Sequence, residues 1–122
     1  MHFLDQSRLQ RLLEDYEGDF MDYFEMSSKV EFIGEDYLNY DNQTDITINI
    51  CIDNQKYNCI AEIFYRETKT GQSRMHVGLE IDERLRKVCR TNKRKLESFI
   101  KNMMKELSAE MEKEDEMFDF EY

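Results

Sequence analysis

Proline and tryptophan are absent from this 122-residue chain, glycine occurs four times and cysteine three times. At ordinary abundance about six prolines would be expected, so the chain is built from continuous elements whose turns fall to glycine, asparagine and aspartate. The cysteines, at positions 51, 59 and 89, are odd in number and match neither a disulfide framework nor a Cys-x-x-Cys metal knuckle. They read as reduced thiols of a cytoplasmic protein. None of the four glycines belongs to a phosphate-cradling loop, which argues against the familiar nucleotide-enzyme classes. Apolar runs reach only two or three residues, too short to span a membrane, and the first residues lack the order of a secretory signal. Two histidines, His2 and His76, have neither a nucleophile nor metal-ligand spacing beside them. No cofactor, metal site or catalytic residue is expected, and the chain reads as a non-enzyme.

Charge is what the chain has in quantity. Its net charge is −10, with 36% charged and 40% hydrophobic residues and 15 aromatics among 7 Tyr and 8 Phe. That apolar content is too high for a disordered acidic chain, and the length suits one domain with one core. The charge is blocked. Residues 1–65 carry −10, residues 66–101 carry +6 and residues 102–122 carry −6. The centre of the positive block is Arg84 to Lys95, with seven cations in twelve residues and no acid.

Hydrophobic periodicity predicts the elements. Ser7 and Gln10 have the spacing of a capping box. Leu9, Leu12, Leu13, Tyr16, Phe20, Tyr23 and Phe24 then recur every three or four residues as one face of a helix. Gly18 within it costs about 1 kcal/mol relative to alanine and allows a kink or a restart at Asp19. Val30 to Ile33 predicts a short strand, followed by a polar connection through Asn39 to Gln43. Ile46, Ile48, Ile50 and Ile52 alternate strictly with polar residues and cysteine as the clearest strand. A turn at Asn54 and Gln55 would pair Ile52 with Tyr57, Ile50 with Cys59, Ile48 with Ala61 and Ile46 with Ile63. Met75, Val77, Leu79 and Ile81 form another alternating strand, reached by a three-residue loop over Thr70, Gly71 and Gln72. Leu85 and Val88 suggest a helical turn. Thr91 or Asn92 can cap a last helix whose stripe is Leu96, Phe99, Ile100, Met103, Leu107 and Met111. The expected fold is α+β: an antiparallel meander of three or four strands, with an N-terminal and a C-terminal helix on the isoleucine face (α-β-β-β-β-α). A single domain is expected over 1–113, with an acidic-aromatic tail over 114–122.

Two surfaces are candidates for function. The first is an acidic ridge opposite the apolar stripe of the first helix, with Asp15, Asp19, Asp22 and Glu25 as the partner-binding residues. Phe118, Phe120 and Tyr122 of the tail join it, alternating with acids in a pattern suited to sheet edges or basic-rimmed pockets. This tail resembles in character the acidic, phenylalanine-containing tails of bacterial single-stranded DNA-binding proteins, which recruit partner enzymes. The second surface is Arg84, Arg86, Lys87, Arg90, Lys93, Arg94 and Lys95, which can neutralise phosphates. Helix, strands and a final helix opened by cations resemble in outline a double-stranded RNA-binding domain, with Asn92, Lys93 and Arg94 at the start of its last-helix motif. Glu97 stands where that family has a lysine, and Phe99 and Ile100 where it has small residues, so the family is not assigned. Cys89 lies among cations that could lower its pKa, although packing beside an apolar stripe explains it equally well.

A dense negative surface complements grooves that hold nucleic acid. The expected function is therefore a non-enzymatic acidic binding domain. It would act as an inhibitor or neutraliser of a basic nucleic-acid-handling protein by nucleic-acid mimicry, as phage inhibitors and immunity proteins do. The alternatives are a phosphate or nucleic-acid binder using residues 84–95, or a small acidic dimeric chaperone or adaptor. A homodimer joining basic to acidic patches is also expected.

Overall fold

In the order of the chain the elements are α1 (Phe3–Tyr23), β1 (Val30–Asn39), β2 (Gln43–Ile52), β3 (Gln55–Glu67), β4 (Ser73–Ile81), α2 (Arg84–Val88) and α3 (Lys93–Phe120). This computed structural model describes the backbone of residues 3–40 and 42–120 and the side chains of 6–40 and 42–113. The strands form one antiparallel sheet in the order β1-β2-β3-β4. The α+β layout expected from periodicity is the observed one. No helix of the described residues is long and apolar enough to cross a membrane.

The alternation of β2 sends Ile46, Ile48, Ile50 and Ile52 inward, each fully buried, and leaves Thr47, Asn49 and Cys51 on the outer face. Tyr57, Cys59, Ala61 and Ile63 of β3 continue the buried side, and α1 and α3 cover it with Leu9, Leu13, Phe20, Leu96, Ile100, Met103 and Leu107. At about 25 cal/mol per Å² this burial is the main stabilising term, and neither helix nor sheet has it alone.

The β2–β3 register differs from expectation by two residues, and the β3–β4 loop is two residues longer than expected. The β2–β3 turn is Asp53-Asn54, so Ile52 pairs with Gln55, Ile50 with Tyr57, Ile48 with Cys59 and Ile46 with Ala61. Asp53 and Asn54 have φ of 50° and 66°, the left-handed pair of a two-residue turn whose twist matches the strands. Asp and Asn tolerate that region better than Gln55 would. The β3–β4 loop spans five residues, 68–72, with Glu67 opposite Ser73, and Gly71 supplies the positive φ of 81°. The Thr68 N–H donates to the Gln72 carbonyl at 2.7 Å and the Gly71 N–H to the Thr68 carbonyl at 3.0 Å. A shift of two preserves the faces, so the isoleucine side of the sheet is buried as expected, whereas Tyr23, expected on the apolar stripe of α1, is exposed.

Strand β1 is longer than Val30 to Ile33, continuing to Asn39 past a bulge between Gly34 and Asp36. Helix α1 is already formed before Ser7 and is continuous through Gly18, without the expected capping box or restart. Gln10 is used elsewhere: its Nε2 donates to the Phe32 carbonyl at 2.8 Å, and its Oε1 accepts the Gly34 N–H at 2.8 Å. The Phe32 N–H donates to Glu17 Oε2 at 2.7 Å. Helix α1 therefore satisfies the outward edge of β1. The approach is close: a Cβ at Gly34 would stand 3.0 Å from Leu9 Cδ2 and 3.2 Å from Leu13 Cδ1. Asn92 caps α3, its Oδ1 accepting the Lys95 N–H at 2.9 Å. The α3 backbone runs to Phe120, beyond the 113/114 boundary read from composition.

Candidate functional site

The exposed faces of α1 and α3 meet in an open groove lined by Tyr16, Asp19, Tyr23, Phe99, Asn102 and Glu106. The 3.6-residue period that buries Leu13 and Phe20 turns Glu14, Asp15, Asp19 and Asp22 outward, all exposed. Helix α3 runs antiparallel beside it and brings Glu106 across, where it accepts the Tyr16 hydroxyl at 2.9 Å. Burial first, then the hydrogen bond to Glu106 and the charges of Glu106, Glu110 and Asp15, hold the Tyr16 hydroxyl well above the ordinary tyrosine range. Carboxylates of two helices thus converge on one tyrosine.

The groove also has an aromatic floor. Tyr23 is 53% exposed, and its ring lies 4.8 Å from Phe24 and 5.4 Å from Phe99. Phe20 lies beneath, edge-on to Phe99 at 5.3 Å. An exposed tyrosine packed on two phenylalanines among carboxylates can take a guanidinium or ammonium by ion pairing and cation–π contact together.

Of the four ridge residues, Asp15, Asp19 and Asp22 share this helix surface. Glu25 stands just beyond it, at the C′ position of α1. The Met26 N–H donates to the Met21 carbonyl at 2.8 Å and the Glu25 N–H to the Asp22 carbonyl at 3.3 Å. Glu25 has φ 51° in a motif that favours glycine. Glu17, between Asp15 and Asp19 in the chain, serves β1 instead. The side chains of Phe118, Phe120 and Tyr122 lie outside those described. Sequence reasoning did not single out Glu106, or Tyr23 as an exposed aromatic. The helical spacing of Asp15, Asp19 and Asp22 was legible, but the helix that faces them was not.

The cations divide. Arg84 is tied to Asp82, its Nη2 2.7 Å and its Nε 3.1 Å from the carboxylate, with the guanidinium 5.3 Å from the Tyr57 ring centre. The hydrogen bonds from Arg84 hold the Asp82 carboxyl below the usual range. Arg86 and Lys93 share a groove with Glu80, Asp82, Glu83 and Glu97, and Lys93 Nζ is 3.8 Å from Glu97. Lys87, Arg90, Arg94 and Lys95 are exposed, with no ion pair among the described residues. Arg90 repeats the α1 ending after α2, at φ 51°, with the Thr91 N–H donating to the Arg86 carbonyl at 3.1 Å. A charged residue in this glycine-favouring position at the end of both helices costs backbone energy.

The thiols are free. Burial pushes Cys59 up to about 12, with Asp82 and Cys89 adding to it, and Cys89 up to about 11. The nearby cations do not activate Cys89. No group of His, Cys, Asp and Glu suited to a metal occurs among the described residues. On the outer face of the sheet, His76 stacks on Phe64 at 5.6 Å, and Arg66 lies 5.0 Å from the same ring. The chain matches no family model, no curated protein and no solved structure.

Proposed function

We propose that this protein is a non-enzymatic binding domain whose α1/α3 groove captures a basic surface of another protein, as an inhibitor or neutraliser of a nucleic-acid-handling partner. The observation that carries this reading is the meeting of Asp19 and Glu106 with Tyr16 in one groove, beside the exposed ring of Tyr23. An array of carboxylates on a rigid helical pair imitates the charge of a phosphate backbone without its flexibility. Aromatic floor and acidic walls together suit arginine or lysine side chains that normally contact nucleic acid.

The test is inhibition of a panel of purified nucleases and polymerases, followed by titration of any responsive enzyme against the wild type and the D15K/D19K/D22K variant. The variant should bind at least about tenfold more weakly and with less salt dependence, since three favourable charges become unfavourable. Its thermal unfolding should stay close to wild type, because the three carboxylates are exposed. Equal affinity of the two proteins sinks the assignment.

A second reading, binding of nucleic acid itself, rests on the exposed Lys87, Arg90, Arg94 and Lys95 and on the left-handed backbone of Arg90. Against it, Arg84 is occupied by Asp82, and Arg86 and Lys93 sit among acids. Fluorescence anisotropy with labelled DNA and RNA decides. Neutralising Arg90, Lys93 and Arg94 should reduce the salt slope by about one for each phosphate that is no longer neutralised, and an unaltered slope excludes these residues.

A further inference from the structure

We infer that the free edge of β4 pairs with the same edge of a second copy of this chain, antiparallel about a twofold axis through Val77. This does not depend on the acidic groove, and it rests on backbone pairing of β4 instead of the joining of basic to acidic patches that suggests a dimer in the sequence.

The backbone sets the first condition. The Asp82 N–H donates to the Asn58 carbonyl at 3.0 Å, and the Thr68 N–H to the Gln72 carbonyl at 2.7 Å. Between these points the β3–β4 register is unbroken. Alternate residues of an antiparallel ladder exchange both bonds with one neighbour. The even-numbered residues of β4 therefore face β3, and Ser73, Met75, Val77, Leu79 and Ile81 direct N–H and C=O away from the sheet. Among the described residues no side-chain hydrogen bond reaches β4 to satisfy them. The strand also lacks a proline, a lysine and a bulge, the usual devices that block edge pairing.

Side chains set the second. Antiparallel pairing centred on Val77 aligns all nine residues of the strand. On the core side, Val77 meets Val77 of the second copy, and Met75 meets its Leu79, all of them half-buried in the single chain. On the outer side, Arg74 falls opposite Glu80 of the second copy and His76 opposite its Gly78, and the twofold repeats each pair. Centring on Met75 would instead put Arg74 against His76 and leave the far half of the strand unpaired. The groove floored by Val77 and Leu79 is walled by Lys93, Arg94, Glu97 and Lys101, whose stems can cover the joined apolar floor.

Gly78 supplies an independent sign. A Cβ there would meet nothing nearer than the Glu62 carbonyl at 4.0 Å, so the single chain has no steric need for glycine in mid-strand. Opposite the His76 ring of a second copy, itself stacked on Phe64, the missing side chain gives the room the pairing requires. The product is a continuous eight-stranded sheet with the long helices of both copies on one face.

An interface of one strand pair is small, so dissociation in roughly the micromolar range is expected. The test is sedimentation equilibrium of the full chain under reducing conditions, from about 5 to 500 µM, a range that brackets such an affinity. A monomer–dimer equilibrium is expected. E80R, which faces Arg74 with arginine twice, should weaken it at least about tenfold, and R74E/E80R should restore it to within about threefold. Hydrogen exchange should protect the Met75, Val77 and Leu79 amides only at high concentration, and those of Gly78 and Glu80 at all concentrations. A monomer throughout the range, a dimer indifferent to E80R, no restoration by the folded double variant, or concentration-independent exchange at Val77 each overturns the proposal.

Discussion

The two edges of the sheet are treated in opposite ways. At β1, helix α1 lies against the strand, Gln10 and Glu17 take up the outward groups of Phe32 and Gly34, and a bulge follows. At β4 the outward groups of five residues have no such cover among the described residues, the strand is regular, and its apolar side chains are only half-buried. An edge can be closed within the chain by polar side chains spaced to imitate a strand, or left regular for another chain to close. The closed edge is held by the core. The open edge is held by its pairing with β3 and by half-buried side chains against the core.

Perturbations should divide along that line. The largest effect is expected from Phe20→Ala, which removes the ring joining α1 to Phe32 and Phe99. Chemical denaturation should report a loss of about 3–5 kcal/mol. Gly34→Ala forces Leu9 and Leu13 away from β1 and should cost about 1–3 kcal/mol in the same experiment, as overpacking does. Gln10→Ala should cost a similar or smaller amount, about 1–3 kcal/mol, by leaving two strand groups without partners. If both substitutions prove neutral, the β1 edge is not closed in the way described. Glu25→Gly, at the end of the covering helix, should instead stabilise by about 0.5–1 kcal/mol, by relieving the left-handed backbone.

The smallest change belongs to the other edge, where β4 ends. Asp82→Asn keeps the acceptor for the Arg84 N–H but removes the charge, and should lower the melting temperature by a few degrees at most, since its partner Arg84 is exposed to solvent. The Asp82 carboxyl is depressed in the folded chain. Its contribution is therefore present above the unfolded value, about 3.9, and is lost as pH falls through the lower folded value. Melting curves of wild type and variant should converge in strong acid. A difference that persists there would mean the charge is not the cause.

The acidic groove was half legible in sequence. Asp15, Asp19 and Asp22 follow from helical period alone, because a helix that buries Leu13 and Phe20 must expose the positions opposite. Glu106 could not be assigned to them, lying far along the chain and reached only when α3 returns antiparallel beside α1. The basic stretch was conspicuous as a run of like charge, yet folding divided it: Arg84 turned to Asp82 and Lys93 toward Glu97.

By itself the sequence determined the classes of element, their order and their buried faces. Those depend on local period: two for the strands, near 3.6 for the helices, and a two-residue change of register leaves them untouched. Only the tertiary structure decided which residues stand opposite one another. Register rests on which turn residues accept a left-handed backbone, here Asp53 and Asn54 rather than Asn54 and Gln55. The cover of one edge rests on a helix crossing close enough for Gln10 and Glu17 to reach a strand more than a dozen residues on. Such contacts depend on distance in space, and periodicity along the chain does not encode it.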